Sequence, residues 1–222
     1  MTGESMFSIK IQTINESIAY IVLIARVNDR EITIRKTNIV SKDRKVLRRA
    51  IEEEERELQN KIPEIEMNIK QIMKWLEKEP KTIIDEFYKS YAENILNHNE
   101  CPMYMGYHCT KCFAAALEKL IRKYGISKIV TYEPPTPSGR GEIYRHYEFN
   151  GEKWRYRKYV DGELDVEKEA ETLYEIFNDW WRPYEELWNI LKAITKKIEG
   201  RTFTTATEAV FGSSISKPIH IE

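Results

Sequence analysis

The sequence has little of what loosens a chain: 9 glycines and 8 prolines in 222 residues, which excludes collagen-like and low-complexity architectures. It has no long hydrophobic run. The longest, Ile18 to Ala25, is eight residues, less than half of the roughly 20 a membrane-spanning helix needs. There is no excess charge of one sign: 35 basic and 36 acidic side chains leave a net −1, so bulk charge demands no polyanionic partner. With only three cysteines, the four thiolates of an iron-sulfur cluster are not available. The opening MTGESMFSIK lacks the basic start and apolar stretch of a secretory signal, so an intracellular, cytoplasmic address is expected.

What is present describes a globular chain. Hydrophobic residues at 41% and charged residues at 32% exclude disorder, and the length allows one medium domain or two small ones. Abundant Lys, Glu, Arg and Ile with scarce Gly and Pro resembles thermophile usage, in which ion-pair networks and short loops raise stability.

The first 40 residues read as strands. Ser8 to Ile14, Ile18 to Val27 and Glu31 to Lys36 are rich in Ile, Val, Thr and Tyr, and turn-formers at Asn15-Glu16-Ser17 and Asn28-Asp29 separate them. The middle strand is apolar on both faces, so something must cover the sheet. Helical spacing then takes over in three segments: Leu47 to Leu58 up to Lys61, Ile65 to Leu76 after Pro63, and Ile83 to Ile95 after a break at Pro80. A cysteine-bearing loop leads into the helix FAAALEKLIRKYG, ended by Gly125, and Ile126 to Tyr132 reads as a strand. EPPTPSGRG follows as a flexible loop.

IYRHYEF and KWRYRKYV form a hairpin around Asn150-Gly151, a dipeptide suited to a type I′ turn. From Leu164 an amphipathic pattern runs through Ala170, Leu173, Phe177 and Trp181, breaks at Arg182-Pro183 and resumes to Gly200. The remaining Thr- and Ser-rich residues read as a closing strand or a partly ordered tail. The expected fold is therefore α+β: an N-terminal antiparallel β-meander, a helical middle, a C-terminal β-hairpin and a long broken helix. Residues 1–125 and 126–222 are the expected subdomains, or one single domain.

The sharpest constellation is CPMYMGYHCTKC. Cys109 and Cys112 form a Cys-x-x-Cys pair, which places two thiolates on one side of a tight turn, as tetrahedral zinc requires of two of its four ligands. Cys101 is the third candidate and His108 the fourth. Since His108 is the chain neighbour of Cys109, joint ligation by both is awkward, and His98 competes for that place. The same pair at a helix N-terminus also suits thiol-disulfide exchange or a stabilising disulfide, although the residues before Cys109 make a poor core strand.

Two basic segments form the second constellation. Arg35, Lys36, Arg44, Lys45, Arg48 and Arg49 precede the acidic block EEEERE. Arg140, Arg145, Arg155, Arg157 and Lys158 are interleaved with Tyr and with Trp154. Cations supply partners for a nucleic-acid backbone, and exposed rings supply stacking surfaces for unpaired bases. The plainer reading makes the rings core and pairs the arginines with Glu142, Glu148 and Glu152 across strands.

Third, Asp161, Glu163 and Asp165 cluster where the hairpin enters the long helix. They could hold Mg²⁺ for phosphodiester cleavage, or Asp161-Gly162 is a turn and the acids sit in a helical first turn. Phosphate-loop, dinucleotide and nucleophile-elbow signatures are missing. Trp180, Trp181 and Trp188 sit on helical stripes, as core or as a self-association surface. The expectation is a nucleic-acid-binding or nucleic-acid-associated protein with a zinc- or thiol-stabilised loop. The alternatives are a redox protein, a homo-oligomeric interaction module and a metal-dependent nuclease.

Overall fold

The computed structural model describes residues 6–180 and 183–200. The expected Thr- and Ser-rich tail, the start of the chain, Trp181 and Arg182 lie outside the described residues. The elements run β1 (Phe7–Asn15), β2 (Ile18–Val27), β3 (Arg30–Val40), α1 (Arg44–Glu77), α2 (Ile83–Leu96), a 3-10 turn (Pro102–Met105), α3 (Thr110–Lys123), β4 (Lys128–Glu133), β5 (Ile143–Phe149), β6 (Trp154–Val160), β7 (Glu163–Ala170), α4 (Leu173–Phe177) and α5 (Pro183–Glu199). The fold is α+β, with an antiparallel sheet in the order β1-β2-β3 and another in the order β4-β5-β6-β7. No helix among the described residues is long and apolar enough to cross a membrane. The chain divides into two compact units: the part up to Leu76 with Ala92–Cys109, and Glu77–Tyr91 with the part from Thr110 onward.

In the first unit, β2 alternates. Ala19, Ile21, Leu23 and Ala25 are wholly buried, whereas Tyr20, Val22 and Ile24 are half-buried, as expected of a strand with one face on the core. Leu47, Leu58, Ile65, Ile69 and Ile72 make the buried stripe of α1, and Glu54 ties this helix to β3 by accepting from Thr37 at 2.7 Å and pairing with Arg35 at 3.3 Å. The expected break at Pro63 does not occur: α1 is one helix with Pro63 inside it. Proline removes one donor and costs about 3 kcal/mol. The stripe from Leu58 to Ile65 and Ile69 stays in phase across it, and burying those side chains at about 1.5–3 kcal/mol each outweighs the loss.

In the second unit, Ile129, Thr131, Ile143, Arg145, Tyr147, Trp154 and Tyr156 are buried and share one face of the four-stranded sheet by register. Helices supply their partners. Trp154 Nε1 donates to Glu118 of α3 at 2.9 Å, and Phe177 and Trp180 lie against Tyr147 and Tyr156 with ring centroids 5.9 and 5.8 Å apart. Phe87, Phe113 and Trp188 add an aromatic cluster, with Phe113 4.5 Å from Phe87 and 5.3 Å from Trp188. Trp188, 6% exposed, is thus core.

Two turns differ from expectation in an instructive way. Asn150-Gly151 is part of a four-residue loop in which only Gly151 has a positive φ, 101°; the Asn150 side chain caps it by accepting from the Glu152 and Lys153 amides at 2.9 and 2.8 Å. The two-residue connections with both φ angles positive are Asn28-Asp29 (48° and 60°) and Asp161-Gly162 (50° and 83°), the signature of type I′ turns. The second of these reverses the chain, so Glu163–Ala170 is strand β7 and not the opening of the long helix. Its Glu167 and Glu169 face Arg157 and Arg155 across the register, and cross-strand pairing overrides the helix propensity of a Glu- and Lys-rich segment. The broken helix is confined to α4 and α5.

Glu186, in the first turn of α5, is 4% exposed. Its Oε1 accepts from the hydroxyls of Thr131 and, at 2.9 Å, Tyr147. Its Oε2 accepts from Asn189 at 3.2 Å and lies 3.6 Å from Arg145 Nη1. Burial pushes the Glu186 carboxyl above its ordinary value of 4.5 even against these donors. The folded chain therefore holds this proton more tightly than the unfolded one, and the contribution of Glu186 to stability, greatest below the unfolded value, is lost as pH rises through the folded value. Glu186→Gln removes that dependence, so urea unfolding from acidic to neutral pH should show the variant gaining on the native chain as pH rises. Parallel stability curves would contradict this.

Candidate metal centre

The segment between α2 and α3 has little regular structure, and short backbone bonds shape it. The His98 amide bonds to the Ile95 carbonyl at 3.0 Å, the Cys101 amide to the His98 carbonyl at 3.2 Å and the Tyr107 amide to the Pro102 carbonyl at 3.0 Å. Tyr104, wholly buried, anchors the 3-10 turn: its hydroxyl donates to the Ile95 carbonyl at 2.7 Å and its carbonyl accepts from Asn68 of α1 at 3.1 Å. Gly106 ends the turn at φ 80°, where a Cβ would lie 3.2 Å from Glu64 Oε1, so both backbone angle and space favour glycine. Thr110 then opens α3, which places Cys109 immediately before the helix and Cys112 in its first turn.

These turns bring His98, Cys101, Cys109 and Cys112 together, with one ligand atom from each and all four within 4.8 Å of one another. Cys109 Sγ and His98 Nδ1 are 3.5 Å apart. Tetrahedral zinc, with bonds of roughly 2.3 Å to sulfur and 2.0–2.1 Å to imidazole, separates its donors by about 3.5–3.8 Å. The group is therefore within about 1 Å of ligated spacing. Cys101, Cys109 and Cys112 are 0, 4 and 3% exposed and form no disulfide. Three soft sulfurs and one imidazole suit zinc; a hard cation such as Mg²⁺ requires oxygen ligands.

His108, the expected fourth donor, is not in this group; His98 takes the place. Consecutive residues tend to direct their side chains apart, which makes joint ligation by Cys109 and its neighbour awkward, whereas His98 follows the last turn of α2. Asp161, Glu163 and Asp165 do not converge. Asp161 occupies the β6–β7 turn and accepts from the Glu142 amide at 3.1 Å, while Asp165 pairs with Lys158 at 2.6 Å. Among the described residues the His98–Cys112 cluster is the metal-capable group.

The residues expected to contact nucleic acid fall in two sets. In the first unit, Arg35 pairs with Glu54, Arg44 with Glu16 and Arg48 with Glu52; Lys36 lies over the Tyr20 ring at 4.5 Å, and Lys45 and Arg49 are exposed on α1. In the second, Arg140 pairs with Glu133 at 2.9 Å, Arg155 with Glu169 at 3.1 Å, Arg157 with Glu148 at 2.5 Å and Lys158 with Asp165. Arg145 and Trp154 face the core, because their strand positions alternate inward with Tyr147 and Tyr156. Sequence reasoning missed Glu186: it lies four and seven residues before the buried Ile190 and Ala193, which is the signal that placed it on the inner helix face. Compared with protein-family models, curated proteins and solved structures, the chain matches none.

The ligand set makes a discriminating prediction. His98→Ala and Cys112→Ser should reduce bound metal from about one per chain to background, whereas His108→Ala should keep it, as measured by elemental analysis after desalting. Loss in the His108 variant alone would reverse the assignment.

Proposed function

We propose that the protein is zinc-stabilised, with a Cys3His centre formed by His98, Cys101, Cys109 and Cys112 in a structural role. The observation that carries this reading is the convergence of four donor atoms within 4.8 Å, three of them on buried thiols. Four protein ligands make a closed site, the kind that folds a chain, whereas catalytic zinc keeps a position for water. Bound there, zinc would cross-link the end of α2 to the start of α3, and Cys109 and Cys112 would gain from the α3 N-terminus as thiolates. Burial of all three thiols argues against a thiol-exchange enzyme, whose attacking sulfur must be reached by a second protein.

The test is elemental analysis of protein purified without added metal, followed by thermal unfolding with and without a chelator. About one zinc per chain is expected. Removing it should lower the midpoint by roughly 10 °C or more, since several kcal/mol of binding energy is lost and each is worth about 2–4 °C at this size. Metal-free protein with a midpoint insensitive to chelator would end the proposal.

A second reading, association with single-stranded nucleic acid, draws on a different observation. On the sheet face opposite Trp154 and Tyr156, Tyr132, Tyr144 and Tyr159 form one register row and are half-buried beside His146. Half-exposed rings across adjacent strands suit base stacking. The charges on that face, Lys128, Arg155 and Arg157 against Glu148, Glu167 and Glu169, balance, so such binding would rest on stacking and respond weakly to salt. Fluorescence anisotropy with a labelled oligouridine should then give saturable binding that Tyr144→Ala weakens about tenfold. No binding at low salt would remove this reading.

A further inference from the structure

A cleft of about 890 Å³ opens in the second unit, remote in sequence from the cysteine cluster. Its walls are the loop after β4 and the first turns of α5, with Trp180 and Tyr184 on one side. The loop, expected to be flexible, is bonded to itself: the Thr136 amide donates to the Arg140 carbonyl at 2.9 Å, the Gly139 amide to the Thr136 carbonyl at 3.0 Å, and the Arg140 amide to Thr136 Oγ1 at 3.2 Å. The rim is thus preformed, as ligand sites usually are.

Arg145 lines this cleft and is only 8% exposed. Its Nη1 reaches Glu133 at 2.6 Å and Glu186 at 3.6 Å, and its guanidinium carbon lies 5.6 Å from the Trp180 ring centroid. Three carboxylates and three cations line the cleft: the exposed Glu185 is matched in charge by Lys192, and the other two carboxylates are occupied. Glu133 holds Arg145 with one oxygen and Arg140 with the other, and both oxygens of Glu186 already accept hydrogen bonds. The donors are not all occupied. Arg145 Nε is buried on the core side, where Tyr156 lies, whereas the half-exposed Arg140 meets Glu133 through Nη1 and keeps its remaining N–H groups for the cleft. A guanidinium carries five N–H groups and no acceptor, so the chemistry in deficit is an oxygen acceptor with negative charge.

We infer that the cleft binds a small organic anion, whose carboxylate or phosphate oxygens bond to Arg140 in the positive field of the buried Arg145 and whose flat apolar portion lies against Trp180 and Tyr184. Guanidinium groups recognise such oxyanions with directed, charge-assisted bonds. Glu133 and Glu186 act as positioning residues, holding Arg145 at the wall of the cleft. The inference is independent of the metal centre.

The test titrates phenyl phosphate, benzoate and, as the neutral analogue, benzyl alcohol into the full chain at low ionic strength, read by tryptophan fluorescence and calorimetry. At least one anion should bind saturably and benzyl alcohol should not; the anion that binds distinguishes a phosphate from a carboxylate site. Arg140→Ala should weaken that anion roughly tenfold, the loss expected for a charge-assisted bond, while leaving the unfolding midpoint in place. Should Arg140→Ala lose its unfolding transition, Arg140→Gln carries the same comparison. Trp180→Leu should weaken the anion and remove the fluorescence change. Saturation by neither anion, equal binding of benzyl alcohol, or affinity unchanged in the Arg140 variant would overturn the inference.

Discussion

The segment from His98 to Cys112 depends on one constraint, the convergence of three buried sulfurs and an imidazole on a common point. The 3-10 turn between them contributes few backbone bonds, and a loop of this kind held only by such bonds sits at the low-stability end of a fold. Thiols packed together give little in return for their burial, because sulfur is a weak donor and a weak acceptor. A divalent cation would change that balance. Bound there, it would make the four groups a cross-link whose binding energy is folding energy. The supporting features then acquire a reason: the Tyr104 hydroxyl anchored to Ile95, Asn68 reaching the Tyr104 carbonyl, and Gly106 turning where a side chain would meet Glu64.

Charge is handled by a different rule in the four-stranded sheet. Arg155, Arg157 and Lys158 each meet a carboxylate on a neighbouring strand. Exposed pairs of this type contribute about 0–1 kcal/mol each, so they do not account for the stability of the sheet. They do specify register. A slip of one residue between β6 and β7 would turn each acid to the opposite face and set charges against rings. That is how an acidic segment with high helix propensity comes to lie as a strand.

Local chemistry accounts for what was legible beforehand. The three N-terminal strands, the Asn28-Asp29 and Asp161-Gly162 turns, the hairpin strands and the Cys-x-x-Cys pair are written in residues within a few positions of one another, where propensity and turn chemistry act. The failures arise where one signal competes with another. Pro63 reads as a stop until the phase of Leu58, Ile65 and Ile69 is weighed against one lost hydrogen bond. Glu163 to Ala170 reads as helix on its Glu and Lys content, although its partner strand β6 is only the Asp161-Gly162 turn away. His98 reads as a rival to His108, but only the path of the chain after α2 decides between them. Glu186 reads as an ordinary first-turn acid, and its burial depends on Thr131, Tyr147 and Arg145, which are distant in sequence.

The buried Arg145 and Glu186 pose the opposite problem to the cysteines. Removing an ion pair from water costs several kcal/mol per ion, and apolar residues of similar volume often serve stability as well or better. The geometry here is also uneven: Glu186 stands 3.6 Å from Arg145 Nη1, longer than a good hydrogen bond, while three other donors saturate the carboxylate and Arg145 Nε has no partner. A pair arranged only for stability would match its donors to its acceptors. This one sets a buried positive charge behind the wall of an aromatic-lined cleft, where Arg140 stands half-exposed. Grouped sulfurs favour a soft cation, and grouped guanidinium groups at a cleft favour an oxyanion.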